Sequence, residues 1–311
     1  MSVVIPLTVS NKMWMYLQTI HLSKKQHTPL FVLFPSDLHI SRYTTALIGS
    51  IAAIMITVIL ANLVRGEEDH SVATLYGYII QLAVGGLLIG VAFWTVRRFG
   101  IDSVHGVAWL SFVGFALMWV IADMIWNAEE ILLPVDTYYP SSADLVYLMG
   151  YPFLLMFLVS YLIPFKDAIS KRLITLAILF SVISVIASMY LQFVINADSL
   201  EQITPNTPTS LYDAIVVVLY PVADGIILVP TILGIGIFLR DSNRVKPMWV
   251  LIFLGTLSNF AADVVFMVIE PREEYFTGHP VDILFLVAYV LIAFGVYGYG
   301  KNNKNYFRKK P

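Results

Sequence analysis

The chain has no cysteine in its 311 residues. Disulfides, thiolate metal sites and cysteine nucleophiles are excluded, and the redox compartment leaves no mark on the sequence. Charge is scarce too: 13% of residues are Asp, Glu, Lys or Arg, against roughly a quarter in an ordinary soluble domain. A formal charge of −2 argues against nucleic acid as a partner. His39, His70, His105 and His279 stand at the ends of apolar stretches or between them, and His21 and His27 near the start of the chain. A bis-histidine haem, which needs imidazoles facing each other in the membrane, is therefore excluded. No lysine lies inside an apolar stretch, so a retinal Schiff base has no attachment point. HExxH, GxSxG and phosphate-loop motifs are absent as well. These absences point to a protein that is not an enzyme and has no cofactor.

Apolar residues take up the space that charge leaves. At 58% hydrophobic, the chain carries more apolar surface than a water-soluble fold of this length can hide. Eight stretches reach the roughly twenty apolar residues needed to cross a bilayer, near 43–64, 74–96, 105–127, 143–164, 172–195, 211–239, 247–269 and 281–300. The expected fold is an all-α polytopic bundle of eight transmembrane helices, with the lipid bilayer as its first partner.

The connections set the orientation. Seventeen of the 19 basic residues fall on one side of this topology, and only Arg65 and Arg272 fall on the other. Basic residues stay cytoplasmic during insertion, which predicts a cell-membrane protein with both termini in the cytoplasm. The organisation is then a cytoplasmic or interfacial segment over 1–42, a membrane domain over 43–300 and a basic cytoplasmic tail over 301–311. The outer connections collect acids instead, among them Glu67, Glu129, Glu130, Asp198 and Glu270. In the first segment, Trp14 and Tyr16 suit headgroup depth. Gly85, Gly86 and Gly90 suit close helix approach.

A repeated pattern organises the membrane domain. Asp144, Asp213 and Asp282 recur at a spacing of 69, and Tyr151, Tyr220 and Tyr289 follow each of them by seven residues. At a spacing of 140, Trp109 matches Trp249, Ala122-Asp123 matches Ala262-Asp263, and Trp126 matches Phe266. In a third unit, Gln192 stands where Asp123 would be. A fixed period indicates a duplicated unit, and four helical hairpins with parallel repeats are expected.

Asp144, Asp213 and Asp282 read first as helix-start acids, since Ser, Thr or Pro precedes each and a carboxylate offsets the positive helix end. Pro152 and Pro221 follow two of the tyrosines and free the carbonyls of Leu148 and Val217. The three tyrosines would then share one polar layer. Asp123 and Asp263 lie about a turn from the outer ends of their helices, and Asp224 lies deeper. No basic residue inside a stretch can neutralise these three. They are protonated, hydrogen-bonded to groups such as Asn127, Asn196, Asn259 or the tyrosines, or bound to a cation. Such a cluster can be a network that fixes helix register, a ligand pocket, or a proton or cation site. Trp126, Tyr138, Tyr139, Tyr151, Tyr220 and Tyr289 beside carboxylates would suit a cationic or amphiphilic ligand, because aromatic faces attract cations. An acid–base pair of Asp123 and Asp263 would suit hydrolysis if the two were adjacent.

Taken in order, ADMIW, YPSSADLVYLMGYP, YDAIVVVLYPVAD, AADVVF and HPVDILFLVAY resemble the multi-helix membrane sensor region that precedes many bacterial diguanylate cyclases and phosphodiesterases and some histidine kinases. The resemblance covers about residues 75–300. It implies a membrane region that detects a signal, of unknown ligand, and passes it to a cytoplasmic output domain. After Tyr299 this sequence runs only GKNNKNYFRKKP, so the output would have to be a separate cytoplasmic protein. The expected function is that of a sensor or receptor with an outward-facing acidic and aromatic pocket. The alternative is a proton- or cation-coupled secondary transporter.

Overall fold

In lipid every backbone N–H and C=O must be bonded within the chain, so an apolar stretch of about twenty residues folds as a helix. The computed structural model describes residues 42–64, 71–101, 106–132, 140–195, 208–240, 247–270 and 275–302. Over these residues the protein is all-α, without strands. We label the helices α1 (Arg42–Val64), α2 (Ser71–Phe99), α3 (Gly106–Leu132), α4 (Ser142–Leu162), α5 (Lys171–Tyr190), α6 (Pro208–Arg240), α7 (Pro247–Ile269) and α8 (Asp282–Asn302). A 3-10 turn, Ile163–Ala168, follows α4, and a π turn, Leu191–Ile195, extends α5. All eight helices are long and apolar enough to cross a membrane, which makes this a multi-pass integral membrane protein.

Two helix boundaries differ from expectation by enough to matter. α3 continues to Leu132, so Asp123 lies nine residues before its end, more than two turns in, rather than one. α6 starts at Pro208, which places Asp213 in its second turn. The chain divides into two units, Met1–Arg42 and Tyr43–Pro311. The segment expected to be interfacial lies outside the described residues apart from Arg42, as do Tyr138, Tyr139, Asn196, Asp198 and the tail beyond Asn302.

Six helices close a ring in the order α3, α4, α6, α7, α8, α2, each packed on the next and α2 returning to α3. The α3–α4 and α7–α8 pairs are the most extensive. At the second of these, a Cβ on Gly255 would come within 2.7 Å of the Ile292 side chain, and one on Gly295 within 2.6 Å of Ile252. Glycine at both positions lets the two backbones approach. By contrast Gly86 and Gly90 of α2 have open space before them, whereas Gly85 meets Val120. α5 packs on α6 at the periphery. α1 touches α8 through the Tyr43 hydroxyl, which donates to the Phe294 carbonyl, and through Tyr43 and Tyr297, whose rings lie 6.5 Å apart. Only 17% of the central window of α1 and of α5 is buried, against 61% for α3, as befits helices whose other faces meet lipid. α1 makes no comparable contact with α2. Three adjacent helix pairs are therefore packed hairpins, and the first pair is not.

The two ends of the ring differ in chemistry. One end gathers the start of α3, the end of α4, the start of α7 and the ends of α2 and α8, and it is filled with rings. Phe157 lies 6.1 Å from Trp109 and 5.7 Å from Trp249, and Tyr299 lies 5.6 Å and 5.3 Å from the same pair. Arg97, Arg98, Arg240 and Lys301 stand in the last turns of the helices that finish there. The opposite end, where α3 and α7 finish and α4 and α8 begin, holds the acids.

Candidate functional site

Four ring helices present the same spacing at the acid end. Trp119, Asp123 and Trp126 of α3, Asp144, Tyr147 and Tyr151 of α4, Asn259, Asp263 and Phe266 of α7, and Asp282, Leu286 and Tyr289 of α8 each mark positions i, i+3 or i+4, and i+7. On a helix those positions form one stripe. The four stripes, joined by Tyr220 of α6, wall a cavity of about 80 Å³. That volume holds several waters or a small organic group, since one water needs about 10–15 Å³ by the same measure.

Every carboxyl in the wall accepts a tyrosine hydroxyl. Asp123 takes Tyr147 on Oδ1 at 2.5 Å and Tyr289 on Oδ2 at 3.1 Å. Asp144 takes Tyr220 on Oδ1 at 2.7 Å, and its Oδ2 accepts the Ser141 N–H at 2.6 Å while Ser141 Oγ accepts the Ala143 N–H. That is a capping box: the acid closes the start of α4 and reaches across to α6 in one side chain. Asp282 is held alike, with Tyr275 on Oδ1 at 3.1 Å and the Gly278 N–H on Oδ2 at 2.7 Å. Asp263 accepts Asn259 at 2.6 Å and Tyr151 at 3.3 Å, both on Oδ2. These bonds tie α3 to α4 and α8, and α4 to α6 and α7. A carboxyl with donors on both oxygens is far cheaper to bury than a bare one.

The connection before α8 closes over this end. Thr277 is fully buried, and its hydroxyl donates to Glu130 of α3 at 2.6 Å. Asn62 of α1 donates to the Gly278 carbonyl at 2.8 Å. Gly278 has φ +94°, and a Cβ there would stand 2.2 Å from the Ala73 carbonyl oxygen, so conformation and space both call for glycine. Tyr275 in the same segment packs edge-on against Trp126 and Phe266, with ring centres 5.9 Å and 4.8 Å away. Burial first, then Asp282 and Glu130, push its hydroxyl well above the usual tyrosine range. It therefore remains a donor at neutral pH.

Asp224 stands behind the wall rather than in it. It lies midway along α6, between Pro208 and Arg240, and is 3% exposed. Tyr151 donates to its Oδ1 at 2.7 Å and lies 3.3 Å from Asp263 Oδ2, so one hydroxyl bridges the two carboxyls. Asp263 thus shares the Tyr151 hydroxyl with Asp224, whereas Asp123, its suggested acid–base partner, is held by Tyr147 and Tyr289. Asp213 is not a helix-start acid: it is half-buried in the second turn of α6 and does not line the cavity. Gln192, in the π turn, does not line it either. The other candidates, Asp123, Asp263, Trp126, Tyr151, Tyr220, Tyr289, Asp144 and Asp282, come together around the one space.

Several wall residues escaped the sequence reading, among them Tyr147, Trp119 and Tyr275. Tyr147 shares the α4 stripe with Asp144 and Tyr151, a signal that was available. Trp119 lies one turn before Asp123 on α3, equally legible. Tyr275 sits in a connection where no periodicity operates. Among the described residues the wall contains no lysine, arginine or histidine. No family model, curated protein or solved structure matches the chain.

Proposed function

We propose that the protein is a non-enzymatic membrane receptor of sensor type, whose acid end faces out of the cell and takes a small cationic or amphiphilic ligand. The observation that carries this reading is the cavity wall: four aspartates, rings from Trp119, Trp126, Tyr275 and Phe266, and, among the described residues, no basic side chain. Hydroxyl and N–H donors offset the burial of these carboxyls but supply no positive charge. An ammonium group entering the cavity brings that charge and meets aromatic faces that attract it. The basic residues at the other end support a cytoplasmic position for that end. A separate cytoplasmic partner reading the ends of α2, α6 and α8 would carry the output, in line with the sensor regions that the motifs resemble.

The test is thermal stabilisation of the purified chain by a panel of primary, quaternary and polyamines. A ligand at a hundredfold excess over its Kd stabilises by about 2.7 kcal/mol. Asp123→Asn combined with Asp263→Asn should abolish that stabilisation while the protein still inserts and folds. A ligand-induced shift that survives in the double variant would sink the proposal. So would failure of both single variants to fold, which would make the acids purely structural.

The second reading is a proton- or cation-coupled carrier. The two prolines within α6 and the adjoining Asp224–Asp263 pair favour it. It predicts ion-coupled flux in proteoliposomes that Asp224→Asn abolishes.

A further inference from the structure

Counting donors against acceptors separates one pair of acids from the rest. An ionised carboxylate can only accept, so each of its oxygens needs a donor when buried. Asp123, Asp144 and Asp282 each have a donor on both oxygens. The Asp224–Asp263 pair does not. Asp224 Oδ2 is buried without a hydrogen-bond partner among the described residues. On Asp263, Asn259 and Tyr151 both address Oδ2. Tyr151 has one proton and two acceptors, Asp224 at 2.7 Å and Asp263 at 3.3 Å, so it serves the nearer. Two acceptor-only groups that meet at one hydroxyl, one of them with an oxygen left without a partner, are one donor short.

The other tyrosine hydroxyls nearby are already spent, that of Tyr289 on Asp123 and that of Tyr220 on Asp144. Asp224 comes from α6 and Asp263 from α7. The titratable groups facing them are Tyr151 and Asp144 from α4 and Tyr289 from α8, two hydroxyls and a third acid. From α5, Ser181 spends its hydroxyl on the Gly225 carbonyl at 2.6 Å. Like charges that cannot both ionise at contact distance share a proton instead.

We infer that Asp224 and Asp263 form a binding site for one exchangeable proton, held between the two carboxyls and reached from the cavity through Asp263. With the proton in place, one carboxyl donates to the other and α6 is bonded to α7. Without it, two carboxylates oppose each other between the same helices. The site therefore makes the α6–α7 contact, and through Tyr151 the position of α4, responsive to pH. This holds whether or not the cavity takes a cationic ligand.

The experiment uses the full chain in lipid nanodiscs, in sodium-free buffer, read by infrared absorption of protonated carboxyl C=O groups and by melting temperature against pH. At neutral pH the wild type should show a protonated-carboxyl band that moves in D₂O and disappears toward alkaline pH as the melting temperature falls. Asp224→Asn and Asp263→Asn each put an amide donor in the proton's place. Each should lose the band and flatten the alkaline fall, whereas Asp123→Asn should keep both. A band unchanged in the two dyad variants overturns the inference, as does a wild type without the band. Added sodium that removes the band at constant pH also overturns it, by assigning the site to a metal ion. If both dyad variants fail to fold, Tyr151→Phe decides. It withdraws a hydrogen bond from the pair and should shift the band, and an unshifted band places the proton elsewhere and overturns the site.

Discussion

At one end of the helix ring, Trp109, Phe157, Trp249 and Tyr299 fill the space between helices with rings. At the other, four aspartates and five tyrosines leave a cavity. Both arrangements cross-link the same helices. In lipid, apolar side chains gain little by leaving one apolar surroundings for another, so helices associate through close packing and hydrogen bonds. The aromatic end uses the first: Trp249 and Phe157 are 1% and 0% exposed and lie 5.7 Å apart between centres. The acid end uses the second, with Tyr289 to Asp123 and Tyr151 to Asp224 spanning helices distant in sequence. Dense packing is robust and chemically inert. A hydrogen-bonded layer around a hollow holds less firmly and offers a surface to a ligand. Under the proposed function, the difference assigns stability to one end and ligand binding to the other.

The sharpest way to break that assignment is Trp249→Ala. Removing a buried ring from a close-packed site leaves a cavity that its neighbours fill only in part, and about 3–5 kcal/mol of stability should be lost. The folded fraction should bind any cavity ligand with unchanged affinity, because Trp249 lies near the start of α7 and the wall residues near its end. Reversible unfolding in mixed micelles and a binding isotherm on the same sample check both halves. A loss of ligand affinity without loss of stability would reverse the assignment.

Much of this architecture was legible beforehand, for reasons that differ by feature. The eight spans could be read because hydrocarbon thickness fixes helix length. The stripes holding Asp144 with Tyr151 and Asp282 with Tyr289 could be read because seven residues are two helical turns. The Asp224–Asp263 pair could not, since it joins two helices and depends on how α6 and α7 pack, which no spacing within either helix encodes. The order of the ring is hidden for the same reason. Asp213 misled because Thr209-Ser210 looks like a cap. Pro208 had already opened the helix, a position that suits a residue without an N–H. The matched tryptophans 109 and 249 suggested equivalent places. They do share Phe157 and Tyr299 as neighbours, yet the matched aspartates 123 and 263 have different partners.

A smaller effect is expected from removing one oxygen at the acid end. Tyr151→Phe keeps the ring but takes the hydroxyl from both Asp224 and Asp263, leaving buried acceptors with fewer donors. The loss should be about 1–2 kcal/mol, below the upper range for an unsatisfied buried group because Asn259 still serves Asp263. The same unfolding measurement checks it. An effect as large as that of Trp249→Ala would mean that the polar layer, not the aromatic packing, holds the ring together.

The smallest expected effect comes from the same deletion at the other end, and it makes the comparison quantitative. Tyr161 is as buried as Tyr151, each 6% exposed, and each lies on α4 among aromatic neighbours. Their hydroxyls differ: that of Tyr161 makes no hydrogen bond among the described residues, and that of Tyr151 reaches two aspartates. Burial, ring size and helix are therefore held constant while the hydrogen bonds change. Tyr161→Phe should alter the unfolding free energy by no more than about 0.5 kcal/mol, because nothing made in the folded state is lost. The difference between the two Tyr→Phe variants then reports the hydrogen bonds at the acid end alone. Equal changes would show that the Tyr151 hydroxyl contributes no more than that of Tyr161, and the acid end would have no polar cross-link to assign.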